Sequence, residues 1–267
     1  MVSNEDPTGL GRREVVYLAV LCAVFAGLAL LRPELVAGAF RATSASLKAG
    51  WGPALKVLAE ILLFAGILFL TLRTVPRGAA PAEDGFIVLF AALYGYLAEA
   101  WGTRSGLWTY YTGEKPPLWI IPAWCMGALV IHRLSRQVMK FLMEFAGHAR
   151  TGRLHRAWII VFCCVFISFS AEHILTPAGI SLALLLALAL LPLRTRPQND
   201  AAVLFTGTIC VIFADLWGTT NNCWTYHVRG RAHGLIYGIA FGALFDSALV
   251  LAAIKTAGAV RTRLRGD

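Results

Sequence analysis

The chain is short of charge. Only 15% of its 267 residues are Asp, Glu, Lys or Arg, against 58% hydrophobic residues. A soluble domain of this length cannot hide that much apolar surface, so lipid has to act as its solvent. The motifs of several soluble chemistries are also missing. There is no glycine-rich phosphate loop, no H-E-x-x-H pair, no nucleophile elbow and no C-x-x-C-H haem site. The cysteines (Cys22, Cys125, Cys163, Cys164, Cys210 and Cys223) show neither metal-type spacing nor a disulfide framework. All but Cys223 fall in apolar stretches, where Cys behaves as a small hydrophobe. No metal and no cofactor is expected. No cleavable signal peptide is expected either, because Met1–Arg13 is polar and no A-x-A-like site follows the first apolar stretch.

What is present is a series of eight apolar stretches: 14–31, 55–72, 85–101, 118–134, 157–174, 180–193, 201–217 and 235–254. Most approach the roughly 20 residues that a helix needs to cross a hydrocarbon core of about 30 Å, and the sixth is short. Helices are expected because lipid offers no partner to an open strand edge. The predicted fold class is therefore an all-α integral membrane protein with about eight transmembrane helices.

The net charge of +9 follows the same logic. With the N-terminus placed in the cytoplasm, sixteen of the 24 Lys and Arg fall in cytoplasmic segments. The densest group, Arg133, Arg136, Lys140, Arg150, Arg153 and Arg156, forms the central cytoplasmic loop and is placed to touch anionic headgroups. This asymmetry is the positive-inside pattern, so the basic charge reports orientation and not a nucleic-acid partner. The expectation is a multi-pass protein of the cell membrane with both termini cytoplasmic.

The chain also resembles itself. Glu99–Tyr110 reads EAWGTRSGLWTY and Asp215–Tyr226 reads DLWGTTNNCWTY, aligned without a gap at an offset of 116. Upstream, Leu72-Arg73-Thr74-Val75-Pro76 resembles Leu193-Arg194-Thr195-Arg196-Pro197 at an offset of 121. Such self-similarity marks a duplication. An even number of spans per copy leaves both copies in one orientation, so two parallel four-helix repeats are predicted, covering 1–150 and 151–267.

The repeated acids, Glu99 and Asp215, lie at the outer ends of their spans, two residues before a Trp-Gly pair. Ionisable groups at this depth face the protein interior or a wet cavity by default. If the copies pack about a two-fold axis, both acids reach one cavity, where one serves as a general acid and the other stays charged. They are the candidate catalytic residues. The alternative is that each acid pins its own loop. Trp101, Trp108, Tyr110, Trp124, Trp217, Trp224, Tyr226 and His173 are the candidate substrate-binding residues. The tryptophans could equally form an interfacial aromatic belt, and His173 could be an ordinary interfacial histidine. Asp246 lies mid-span, where an unpaired charge is least tolerable. Glu60 and Glu172 are further acids near the outer side. Pro122 is expected to break the start of the fourth span. Gly238 and Gly242 have the spacing of close helix packing.

The block E-x-x-G-x-x-x-G-x-W-x-Y, followed by P-x-W-x-x-P-x-W at Pro117–Trp124, resembles a family of membrane carotenoid-biosynthesis proteins that includes the bisanhydrobacterioruberin hydratases. The matching positions are Glu99, Gly102, Gly106, Tyr110, Pro117 and Trp124, then Asp215, Trp224 and Tyr226. Leu107-Trp108-Thr109-Tyr110 stands where that family carries Phe-Gly-x-Tyr. The resemblance implies a hydratase or cyclase acting on an isoprenoid or carotenoid-like lipid. Protonating an alkene needs a carboxylic acid, and the resulting cation needs aromatic faces. The partner is then a membrane lipid or hydrophobic small molecule. A different class of function is a non-catalytic subunit whose outer aromatic loops hold a membrane-protein partner, a pigment or a quinone. A third is a small proton-coupled transporter.

Overall fold

The structure is a computed structural model and describes residues 11–48, 50–191, 197–228, 231–232 and 235–265. The polar segment before Gly11 and the second L-R-T-x-P block, at 193–196, lie outside the described residues. The chain divides into two compact units, 1–80 and 81–267.

In the first unit, α1 (Arg12–Leu31) and α3 (Trp51–Thr74) are apolar helices long enough to cross a membrane. Between them lies α2 (Pro33–Lys48), which the span pattern did not announce. Pro33 opens it at a position where a missing N–H costs nothing. Its apolar residues Val36, Phe40 and Leu47 share one face and are exposed. Glu60 pairs with Lys56 on the preceding turn of α3, 3.5 Å away.

The second unit contains α4 (Pro81–Ser105), β1 (Trp108–Tyr110), α5 (Ile121–Phe145), α6 (Gly147–Ser170), α7 (Pro177–Leu190), α8 (Pro197–Thr220), β2 (Trp224–Val228), β3 (Arg231–Ala232) and α9 (Leu235–Arg265). Among the described residues, seven helices are long and apolar enough to span a membrane: α1, α3, α4, α5 with its preceding 3-10 turn, α6, α8 and α9. The sixth predicted span is α7, whose 14 residues reach only about 21 Å. Helix α6 stops at Ser170, so Glu172 and His173 lie in a turn and not in a span.

Helices α4, α5, α8 and α9 form a ring in which each packs on the next, and α6 and α7 cover α8 and α9 from outside. The core runs along α9, where Phe241, Phe245, Ala248, Leu249, Leu251 and Ala253 are all buried. Stacked rings of α6 (Trp158, Phe162, Phe166) continue onto Phe241 and Phe245, and Phe169 stacks on Phe241 at 4.0 Å. Pro122 does not break α5. It sits in the first turn, where the helix needs no donor from it.

The two similar blocks fold alike. Helix α4 ends with Leu107 N–H bonded to Gly102 O at 2.9 Å and Gly106 N–H to Thr103 O at 3.4 Å, with Gly106 at φ +71°. Helix α8 ends with Cys223 N–H bonded to Gly218 O at 2.7 Å and Asn222 N–H to Thr219 O at 3.1 Å, with Asn222 at φ +56°. Both are Schellman terminations, which need a residue tolerant of the left-handed region. Each termination turns the chain back into a strand. The strands pair antiparallel, Trp108 with Tyr226, Thr109 with Thr225 and Tyr110 with Trp224. Exchanging each residue for the one 116 away leaves this register unchanged, which is a local two-fold axis through the Thr109–Thr225 pair. The flanking bonds obey it too: His227 N–H to Leu107 O at 2.7 Å and Tyr111 N–H to Cys223 O at 3.1 Å.

The gapless offset reaches back to the helix starts, Pro81 and Pro197, and to Asp84 and Asp200 in their first turns. Asp84 pairs with Arg133 at 2.7 Å and Asp200 with Lys255 at 3.0 Å. The proline that matches Pro197 at the head of a helix is thus Pro81, five residues beyond the Pro76 of the upstream block.

Gly102 and Gly218 are the points of closest approach. A Cβ at either would overlap the ring of Trp108 or Trp224 respectively. Gly102→Ala and Gly218→Ala are each expected to destabilise the protein by about 1–3 kcal/mol through overpacking. Gly127→Ala on α5, where a Cβ meets nothing within 4 Å, should be neutral or slightly stabilising. Thermal unfolding of the detergent-solubilised protein checks all three.

Candidate functional site: an acid–aromatic centre

The helix reversals aim their aromatic residues back at the acids. Glu99 is 3% exposed and accepts three hydrogen bonds. Trp108 Nε1 donates to Oε2 at 2.9 Å, Tyr110 Oη to Oε1 at 2.9 Å and, from α5, Trp124 Nε1 to Oε1 at 3.1 Å. Asp215, equally buried, accepts from Tyr226 Oη, 3.1 Å from both of its oxygens, and from the Trp224 indole. The hydroxyls of Thr103 and Thr219 bond back to the carbonyls of Glu99 and Asp215, so both turns are tied at the same place.

Small residues make the approach feasible. Trp124 lies against Gly95, where a Cβ would come within 2.5 Å of the indole. On α9, Gly238 leaves room for the Tyr226 ring, and Gly242 leaves room for the Asp215 carboxylate and the Tyr226 hydroxyl. The G-x-x-x-G pair is therefore a packing device, and what it admits is the hairpin and its acid. One turn beyond Gly242 is Asp246. It interacts electrostatically with Asp215 and Glu99, and its charge is felt at both Tyr110 and Tyr226. Asp246 is partly accessible, and among the described residues it makes no hydrogen bond or ion pair. No Lys, Arg or His among the described residues pairs with any of the three acids.

The predicted site residues divide clearly. Glu99, Asp215, Trp108, Tyr110, Trp124, Trp224 and Tyr226 meet in one centre. Trp108 packs edge-on to Tyr226 across the axis at 6.3 Å. Trp101 is buried behind Trp108 and Phe245 and shapes the wall without reaching an acid. Trp217, its counterpart, is partly exposed. His173 contributes its backbone: its carbonyl accepts from Trp101 Nε1 at 3.4 Å and from Thr176 Oγ1 at 2.8 Å. The buried tryptophans, Trp101 and Trp108, are not an interfacial belt. Glu114, which accepts from Trp119 Nε1 at 2.7 Å, anchors the loop beside Tyr110 and was not singled out by its sequence. Asp246 was visible as a mid-span acid, but nothing in its spacing tied it to Glu99 and Asp215. Among the described residues no group of three or more His, Cys, Asp or Glu could hold a metal ion.

The two phenols lie in the strands, outside the helices. Burial first, then the facing carboxylates, push the ionisation of Tyr110 and Tyr226 well above the usual 10. Both therefore remain neutral donors to the acids. A phenol with a raised folded-state pKa adds stability that is complete below about pH 10 and lost as pH rises beyond it. The unfolding midpoint is expected to fall above about pH 10, and a Tyr110→Phe/Tyr226→Phe double variant should show a flatter decline. Melting curves between about pH 8 and pH 11 would test this, and parallel declines would refute it. No known protein family, no curated protein and no solved structure matches this chain.

Proposed function

We propose that the chain is a membrane enzyme that protonates an alkene of an isoprenoid or carotenoid-like lipid, leading to hydration or cyclisation. The observation that carries this reading is the meeting of three carboxyls inside one aromatic-walled centre, with no cation among the described residues paired to them. Like charges packed in an apolar centre cannot all be ionised, so the centre holds a proton to give. Asp246 is the group free to move it, because Glu99 and Asp215 are already held by their indole and phenol donors. The Asp246 O–H adds its proton to the alkene, leaving a carboxylate and a tertiary carbocation. Water then bonds to the cation and returns a proton to Asp246. In the cyclising variant a second alkene attacks the cation, a C–C bond forms, and a neighbouring C–H proton goes back to the carboxylate. Trp108, Tyr226 and Phe245 offer ring faces to the cation, and the remaining carboxylates offset its charge.

We read the chain as two parallel four-helix repeats, 1–150 and 151–267, in the cell membrane with both termini cytoplasmic. The matched helix ends, strand register and ion pairs support the duplication. The charge distribution supports the orientation. A crossing at α7 requires local thinning of the bilayer, at a modest cost per ångström.

One observation favours a second reading. Each repeated acid accepts from the Trp and Tyr of its own block, Glu99 from Trp108 and Tyr110 with Trp124 of α5 added, and Asp215 from Trp224 and Tyr226. In that case the acids pin the hairpins of a non-catalytic subunit that binds a membrane-protein partner, pigment or quinone.

Lipid extracts of the source organism separate the two. Asp246→Asn removes the proton donor and leaves the indole and phenol bonds in place. Loss of a general acid is expected to lower turnover about 10²- to 10⁴-fold, so an unmodified polyene should accumulate at normal protein level. Glu99→Gln and Asp215→Asn should give the same lipid profile with some loss of protein. An unchanged profile in Asp246→Asn at normal protein level would leave only the structural reading.

A further inference from the structure

The opposite end of the four-helix ring carries the same ion pair twice, and the two copies differ in one respect. Lys255 spends all of its donors: Asp200 Oδ2 at 3.0 Å, and the carbonyls of Ala189 and Leu191 at 2.7 and 3.1 Å, which close the end of α7. Arg133 does not. Its Nη2 donates to Asp84 Oδ2 at 2.7 Å, but Nε and Nη1 are buried with no acceptor among the described residues. Arg133 is only 7% exposed. Unmet donors on a buried cation are costly, more so than on a neutral group.

The surroundings are positive. Glu83 is shared by His132 Nε2 at 3.1 Å, Arg261 Nη1 at 2.7 Å and Arg136 Nη2 at 3.7 Å. The groups facing Arg133 from α4, α5 and α9 are thus Glu83 and Asp84 against Arg136, Arg261 and His132. The cluster keeps a positive excess even with His132 neutral. Its depth also matters. Asp84 is the fourth of 25 residues in α4, a helix about 37 Å long, so the pair sits about 5 Å from one end. That is where the phosphate layer borders a hydrocarbon core of about 30 Å. Basic pockets between transmembrane helices at this level take lipid headgroups.

We propose that Arg133, with Arg136 and Arg261, forms an oxyanion site that takes a phosphate group, carried by a lipid headgroup or free in solution. The phosphate oxygens supply the acceptors that Nε and Nη1 lack. Lys255 shows what the same position looks like when the protein supplies those acceptors itself.

The test uses the full chain in detergent, titrated with phosphatidylglycerol, phosphatidylcholine or inorganic phosphate, with the unfolding midpoint and the phosphorus retained per protein as readouts. Phosphatidylglycerol is expected to raise the wild-type midpoint. Arg133→Lys keeps the pair with Asp84, as Lys255 does with Asp200, but loses the spare donors. It should bind roughly tenfold more weakly. Arg261→Gln leaves the Asp84 pair untouched and should weaken binding several-fold, which keeps the test usable if Arg133→Lys accumulates poorly. Arg150→Ala, an exposed basic residue of α6 outside the cluster, should bind like wild type. A response to both phosphatidylglycerol and inorganic phosphate, lost in Arg133→Lys, assigns the site to free phosphate. A response to the lipid alone assigns it to a headgroup. Equal responses in wild type, Arg133→Lys and Arg261→Gln, or no response at all, overturn the proposal and leave water as the partner of those nitrogens.

Discussion

A carboxylate inside a membrane protein must find its hydrogen-bond donors within the fold, because lipid has none to offer. In this chain the donors come from a short distance along the sequence. Trp108 reaches back to Glu99, and Trp224 to Asp215, because each helix ends in a left-handed residue that reverses the chain. The indole then lies flat over a glycine one turn before the helix end. The remaining order follows. The reversal sets the strands, the strands pair about the Thr109–Thr225 axis, and the pairing fixes how α4 and α8 present their acids. Without Gly106 and Asn222 in that conformation the indoles could not return to the helices they leave.

Symmetry accounts for the frame, and the asymmetry lies in what α5 and α9 add to it. The bonds at the helix ends and in the strands repeat at an offset of 116. The groups brought in by α5 and α9 do not. Helix α5 offers Trp124 as a third donor to Glu99, while α9 offers Gly242 as space and Asp246 as a further acid. Two identical halves would have produced two equally satisfied acids and no third acid beside them. At the other end of the ring, Lys255 is saturated by the carbonyls that close α7, whereas Arg133 keeps nitrogens to spare. In both places one copy shows the complete arrangement and the other departs from it at a single polar side chain.

Much of this was legible in the sequence. The 12-residue blocks repeat an acid, a Trp-Gly pair and a Trp-x-Tyr group at fixed spacing, which singled these residues out together, but that the Trp and Tyr turn back to donate to the acid was not readable from that spacing. Long apolar helices are legible for the same reason that they are stable in lipid. Three features were hidden. Helix α2 is too short and too mixed in polarity to register among apolar stretches. A three-residue strand leaves no period to detect, so the pairing of β1 with β2 could be reached only through the axis that relates them. The Asp84–Arg133 and Asp200–Lys255 pairs join residues 49 and 55 positions apart, and the cations do not share the 116 offset of their aspartates. Asp246 belongs with these: a mid-span acid is conspicuous, but only the packing of α9 on the hairpin brings it to Glu99 and Asp215.

The distribution of charge along the ring gives the centre its direction. Arg133, Arg136, Lys255 and Arg261 gather at the end where α4 and α8 begin. Glu99, Asp215 and Asp246 lie toward the hairpins, and among the described residues no cation is paired to any of them. A positive charge created beside the three acids is stabilised by them, since among the described residues none of them is paired to a Lys or Arg. An anion brought to the same place would meet three carboxyls. On the proposed reading, this arrangement suits a reaction that generates a cation from a neutral apolar molecule better than one that develops an oxyanion.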